Sequence, residues 1–186
     1  MRRIQYRRAG PEDYAEIVRL QRANYVANLT AEERREGFLS AEFSLDQVAV
    51  IASDLGIDIV TIDDDLGGCL CGIRRDFDHG SPVVAKMLES YDQAWFQGKP
   101  LSAFNSYIYG PVCIARQYRR RGLLRGLYEF QKKDLAGQFE VGVALVSHSN
   151  PHSMRAHVEG LGMTEAGRFE LNGNFFAILA FRVSAR

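Results

Sequence analysis

The 186 residues carry 23 Lys plus Arg against 23 Asp plus Glu, a formal net charge of zero, which argues against coating nucleic acid or an anionic membrane. Apolar residues at 46% and charged residues at 25% are ordinary globular usage, sufficient for a sizeable core in one domain of this length. The longest uncharged apolar run, residues 175–181, is far short of the roughly 20 that cross a bilayer, and the basic start runs into Gly10-Pro11 instead of an apolar leader. A cytoplasmic protein is the expectation. Cys69, Cys71 and Cys113 form no even disulfide framework, and the Cys-x-Cys pair lacks a second ligand pair, so reduced, buried thiols and no metal site are expected.

Residues 4–7 read as a short strand. Pro11, Glu12 and Asp13 suit the first turn of a helix, with Tyr14, Ile17, Val18 and Tyr25 on one face. Thr30 with Glu33 has capping-box spacing, and Ser44 opens a third helix through Gln47, Val48 and Ile51. Residues 59–62 and 69–73 flank an acidic turn over 63–67 as a hairpin; the turn lacks the alternating ligands and terminal Glu of a calcium loop. Pro82 opens a helix through Val84, Met87, Leu88, Tyr91 and Trp95, stopping before Gly98, so residues 75–104 read as a helical insertion between two strands. Then come a β-rich run over 106–115, a helix over 122–136, a buried strand over 141–147, a short helix over 151–159, and strands over 165–171 and 175–183 flanking Asn172-Gly173, a strong hairpin signal. The whole, residues 1–186, is expected to be one α/β domain.

The chemistry concentrates where Val112-Cys113-Ile114 feeds the turn Arg119-Arg120-Arg121-Gly122 and then a helix with Leu124, Leu127, Tyr128 and Leu135 as its apolar stripe. Free N–H groups and the positive end of a helix dipole favour a phosphate over the turn. Gly122 permits close backbone approach, and Arg119 to Arg121 with Arg125 can add charge-assisted contacts.

This stretch resembles the GCN5-related N-acetyltransferase (GNAT) superfamily, whose signature Gln/Arg-x-x-Gly-x-Gly/Ala lies between a strand and a helix. Leu124 stands at the small final position, and Arg116 where many members have proline. Asn150-Pro151-His152-Ser153 after a buried strand is similar to the family's Asn-x-x-Ser, and Gly160-Leu161-Gly162-Met163 to its Leu-Gly-Phe helix end; together the matches cover residues 106 to about 167. The resemblance implies a mixed, mostly antiparallel sheet flanked by helices. It further implies acetyl-CoA held by Val112, Cys113, Ile114, Arg119, Arg120, Arg121, Gly122, Leu123, Leu124, Arg125, Asn150 and Ser153. A primary amine would attack directly in a ternary complex, with backbone N–H groups near Cys113 and Ile114 polarising the thioester.

Many members place a tyrosine on the helix after Asn-x-x-Ser as acid for the departing thiolate. Here, counting forward from Ser153 reaches His157 and counting back from Gly162-Met163 reaches Val158, because the helix is one residue longer. His157 is the candidate acid, and Tyr107 and Tyr109 are candidates to orient the acceptor or relay its proton. Cys113 lacks an activating histidine nearby in sequence, against a covalent route. The resemblance implies a small-molecule or peptide amine as acceptor. Asp76, Asp78, Glu89, Tyr91, Asp92 and Trp95 suggest a lid suited to a cationic one, with residues 24–39 as the opposite wall. The missing tyrosine leaves open a non-catalytic acyl-CoA-binding regulatory module, and the apolar last strand could pack across a homodimer.

Overall fold

The computed structural model describes residues 2–77 and 80–184. Strand β1 (Ile4–Arg8) passes through a short turn at Pro11–Asp13 into helix α1 (Tyr14–Arg22), and Arg7 fixes that corner with two hydrogen bonds to the Asp13 carboxylate, 2.6 and 2.8 Å. Tyr25, expected on the face of this helix, lies beyond its end and bridges Leu39. The Asn24 side chain donates to the carbonyl of Leu20, satisfying an end-turn acceptor and releasing the chain from the helical path. Helices α2 (Ala31–Arg34) and α3 (Leu45–Ser53) both start at reciprocal capping boxes, Thr30 with Glu33 and Ser44 with Gln47.

Strands β2 (Ile57–Ile62) and β3 (Asp65–Arg74) form a hairpin tighter than the five-residue turn expected. Its turn is Asp63-Asp64 alone, at φ 51° and 75°, the left-handed pair that matches strand twist. In the following segment, helix α4 (Pro82–Glu89) ends well before Trp95. Trp95 instead lies in β4 (Trp95–Phe96), which folds back on β5 (Lys99–Pro100) around Gln97-Gly98, again at positive φ, 49° and 82°. Ser90 turns its hydroxyl onto the carbonyl of Lys86, so the hairpin and not the helix takes the remaining apolar residues. Asp78 lies outside the described residues.

The rest alternates as the pattern suggests: β6 (Ser106–Ile114), α5 (Leu123–Leu135), β7 (Val141–Ser147), α6 (Pro151–Arg155), β8 (Thr164–Leu171) and β9 (Asn174–Arg182). The seven long strands form one sheet in the order β1-β2-β3-β6-β7-β9-β8, antiparallel at every pairing except β6 with β7. Period-two alternation sends Ile57, Ile59 and Ile178 into one core with α1 and α3, and Val60, Leu179 and Phe181 into another under α5. This is the mixed, mostly antiparallel sheet expected. No helix among the described residues is long and apolar enough to cross a membrane.

Two irregularities shape the centre. First, Leu70 pairs with Val112 but Gly72 pairs with Tyr109, so β6 carries one residue more than β3 over the same span. This bulge at Gly110-Pro111 bends the strand. The parallel pairing of β6 with β7 covers only Ser106–Ile108 against Val141–Val143, whereas β7 keeps pairing with β9 as far as Ser147. The two central strands therefore diverge and leave a slot. Second, the helix after β7 changes from α to π over Ala156–Gly160, which accommodates its extra residue as a one-turn bulge.

Beneath α5 lies a fully buried polar chain. Tyr107 Oη donates to Gln131 Oε1 at 3.1 Å, and Gln131 Nε2 donates to Asp58 Oδ2 at 3.1 Å; Arg8 Nε lies 3.5 Å from Asp58 Oδ1. Burial pushes the Asp58 carboxyl up from 3.8 to about 6, with Arg8 opposing. The native state thus holds a proton that the unfolded chain releases. Its stabilising contribution is complete below pH 3.8 and is lost as pH rises through about 6. Asp58→Asn should remove that dependence, and the variant's stability relative to the parent should rise by about 2 kcal/mol between about pH 4 and pH 7. Parallel urea curves for both proteins across this range, with no change in their difference, would contradict the assignment.

Candidate active site

A groove of about 410 Å³ runs from the start of α5, past β6, to α6. At its upper end the chain leaves β6 through a turn at Arg116–Tyr118, passes Arg120 at φ 61° and Gly122 at φ 79°, and enters α5 at Leu123. The first-turn N–H groups of Leu123, Leu124 and Arg125 have no helical acceptor and sit at the positive end of the dipole. Gly122, Leu123 and Leu124 line the groove, and a Cβ on Gly122 would meet no atom within 4 Å. A glycine here supplies the left-handed turn and leaves the space above the amides open.

The arginines divide their work. Arg119 is largely enclosed: its Nε donates to the carbonyl of Ile114 at 3.2 Å, Nη1 to the carbonyl of Glu36 at 2.9 Å, and Nη2 to Asn24 Oδ1 at 2.6 Å. With three of its five N–H groups on protein acceptors, this side chain clamps β6 to the N-terminal wall. Arg120 is exposed and pairs with Glu36 at 3.2 Å across the groove mouth. Arg121 does not line the groove and lies over the Tyr118 ring, 5.7 Å from its centroid. Arg125 lines the groove and ties α5 to the carbonyl of Gly160. Of the four expected phosphate contacts, Arg120 and Arg125 keep side chains available.

Where β6 and β7 part, Val112, Cys113 and Ile114 form one wall and Asn150, Ser153 and His157 the other. Asn150 has two tasks: Oδ1 accepts from the Ser153 amide at 3.2 Å as the helix cap, and Nδ2 donates to the carbonyl of Phe38 at 2.9 Å. Cys113 is buried, its thiol pushed up to about 12 by burial, so it is held as an inert thiol. Among the described residues no cluster of three or more His, Cys, Asp or Glu is arranged to hold a metal.

His157 is buried, and the π turn sets its ring into the slot. Its Nδ1 lies 2.8 Å from the carbonyl oxygen of Ser153 and 3.3 Å from Ser153 Oγ. A carbonyl oxygen only accepts, so Nδ1 carries the proton. Burial also lowers the imidazole pKa below its ordinary 6.5. The neutral ring therefore presents a bare Nε2, which has no partner among the described residues.

The structure places the two tyrosines differently from one another: Tyr109 lines a cavity beside His157, and Tyr107 does not. Tyr107 lies in the core with its hydroxyl bonded to Gln131 and lines no part of the groove, because its side chain points under α5. Tyr109 packs edge-on against His157, Tyr128 and Phe181, its hydroxyl buried without a hydrogen-bond partner among the described residues. It buttresses the imidazole. The acidic residues expected as a lid also lie elsewhere: Asp76 lines a separate cavity with Arg74 and Arg75, Glu89 pairs with Lys86, and Asp92 is exposed. Tyr91 is buried beneath Arg75, and Trp95 is exposed. His152, not singled out in sequence, lines the groove and packs on Gly37, where a Cβ would approach its Cδ2 to 3.2 Å. Only the fold brings the two together, since they lie in distant segments.

No protein-family model and no curated protein matches the sequence. Solved structures do match over nearly the whole chain. An N-acetyltransferase from Staphylococcus aureus Mu50 is 14% identical, with 98% of this chain and 99% of that one covered at a TM-score of 0.65. An acetyltransferase of the GNAT family from Streptococcus agalactiae 2603 is 18% identical, covering 98% and 96% at 0.65. The yncA protein from Salmonella typhimurium, solved with its cofactor acetyl-CoA, is 15% identical, covering 98% and 95% at 0.64. At such identities the likeness establishes the fold.

Because Arg119 braces the walls, Arg119→Ala should destabilise the protein by about 2 kcal/mol, the cost of buried acceptors left without a charged donor. Chemical denaturation measures this. A loss confined to ligand affinity, with stability unchanged, would return Arg119 to a phosphate-binding role.

Proposed function

We propose that this chain, whose fold is that of the GCN5-related N-acetyltransferases, is a single N-acetyltransferase domain that moves an acetyl group from acetyl-CoA to a primary amine by direct attack in a ternary complex. The observation that carries the proposal is the continuity of one groove from the open helix N-terminus at Gly122 to the bare Nε2 of His157. A diphosphate fits the first end: unpaired amides, a glycine with empty space above it, and the side chains of Arg120 and Arg125. A narrow arm fits the slot, where β6 beyond its bulge turns away from β7 and leaves backbone groups for an added strand.

Acetyl-CoA supplies the activated acyl group as a thioester. For the transfer, the amine nitrogen bonds the carbonyl carbon, the C–S bond breaks, and one proton passes from the nitrogen to the thiolate. The chain must hold that proton and stabilise the oxyanion. Backbone N–H groups near Cys113 and Ile114 serve the oxyanion. His157 serves the proton: its neutral Nε2 accepts from the attacking amine and returns it to the departing sulfur, while Ser153 holds the tautomer through Nδ1. The role differs from the pure acid suggested by position alone, since a lowered pKa makes the imidazole an acceptor first.

The buried slot histidine favours catalysis over a non-catalytic acyl-CoA-binding module of the same fold. Acetyl-CoA should raise the melting temperature, and Gly122→Val, which forces a β-branched residue into a left-handed position over the amides, should abolish that increase relative to the variant's own baseline. His157→Gln should keep the increase but lower kcat about 10²-fold in an acceptor-dependent thiol-release assay. It should also remove the fall in kcat that the parent shows in acid, below the ordinary histidine value of 6.5. A parent protein indifferent to acetyl-CoA would end the proposal, and one that binds it but releases no thiol with any amine would favour the regulatory module.

A further inference from the structure

Beyond the slot the groove opens into a second cavity of about 150 Å³, walled by Phe43, Ile73, Val83, Val84 and Leu145. It shares Val112, Asn150, Ser153 and His157 with the first groove, so whatever enters it meets the imidazole. Among the described residues its lining holds no Asp, Glu, Lys or Arg; its polar side chains are serines, Tyr109, Asn150 and His157. Resting on the acetyl-transfer reading above, we infer that the acceptor is a primary amine on an apolar carbon skeleton bearing no second charge.

Two arguments converge on this class. An aliphatic or aromatic skeleton gains by leaving water for this surface. Among the described residues a second ammonium has no carboxylate here to replace its hydration, and burying an unpaired charge is strongly unfavourable. The same surroundings favour the uncharged form of the reacting amine, the form with a free lone pair. The acidic side chains of residues 75–104 cannot reverse this where described, because Asp76 lies in another cavity and Glu89 on Lys86, while α4 turns Val83 and Val84 to the pocket.

Hexylamine and hexane-1,6-diamine differ by one terminal charge and separate the possibilities in a thiol-release assay with acetyl-CoA. The monoamine should show kcat/KM at least about tenfold higher. Val84→Glu, which places a carboxylate in the pocket wall, should shrink or invert that ratio while the melting-temperature increase with acetyl-CoA stays unchanged. Equal or better use of the diamine by the parent would overturn the inference yet leave acetyl transfer standing. A ratio untouched by Val84→Glu would remove the acceptor from this cavity. Failure of both amines despite acetyl-CoA binding would overturn the inference, and thiol release with another class of amine would then leave the transfer standing.

Discussion

The site depends on one extra residue in β6. Because three steps of β6 oppose two of β3 at Gly110-Pro111, the strand turns out of its parallel partnership with β7 after Ile108. Pro111 also lacks the N–H that a continued ladder would need. A sheet without this bulge would close over the space where Val112 to Ile114 now face Asn150, Ser153 and His157. The slot, the exposed strand edge and the route between the two cavities are consequences of that single mismatch. The π turn in the next helix is its counterpart: one residue inserted in the strand opens the space, and one inserted in the helix sets an imidazole within it.

Such an opening weakens the middle of a sheet, and its rims are held by contacts distant in sequence. Arg119 joins Ile114, Glu36 and Asn24; Asn150 joins its own helix to Phe38; Arg125 joins the start of α5 to Gly160. Each ties a rim of the opening to a segment outside the two separated strands. This explains why Arg119 is spent on structure: a guanidinium carries five N–H donors in a fixed fork, more than any neutral side chain, and reaches three acceptors at once.

Local signals were legible in the sequence because their causes are local. Capping boxes at Thr30 and Ser44, the Asn172-Gly173 turn and the strand-loop-helix around Gly122 are each settled within a few residues. The helix over 82–95 was misjudged because apolar spacing is shared by a helix and by a hairpin that buries the same residues, and Gln97 does not advertise its left-handed conformation as Asn or Gly does. For Tyr107, strand alternation names a face but not what covers it. Which side of β6 meets α5 and which meets the groove is decided by long-range packing. The roles of Arg119 and His152 were hidden for the same reason, their partners lying in the N-terminal wall. The one-residue excess before Gly162 was countable, and a π turn is the backbone's way of absorbing it.

The direction of the His157 proton follows from a bond that sequence cannot display. Had Nδ1 faced a hydroxyl alone, either tautomer would serve, and the ring could have begun as donor or acceptor. Facing a backbone carbonyl at 2.8 Å, it is fixed as donor on that side and lone pair on the other. Burial then keeps the ring neutral, and under the proposed transfer the apolar walls of the second cavity would bias an incoming amine the same way. Under the proposed transfer both reacting partners would meet uncharged, so that no charge has to be desolvated at the moment of attack and none of the slot's polar groups has to act as a permanent counter-ion.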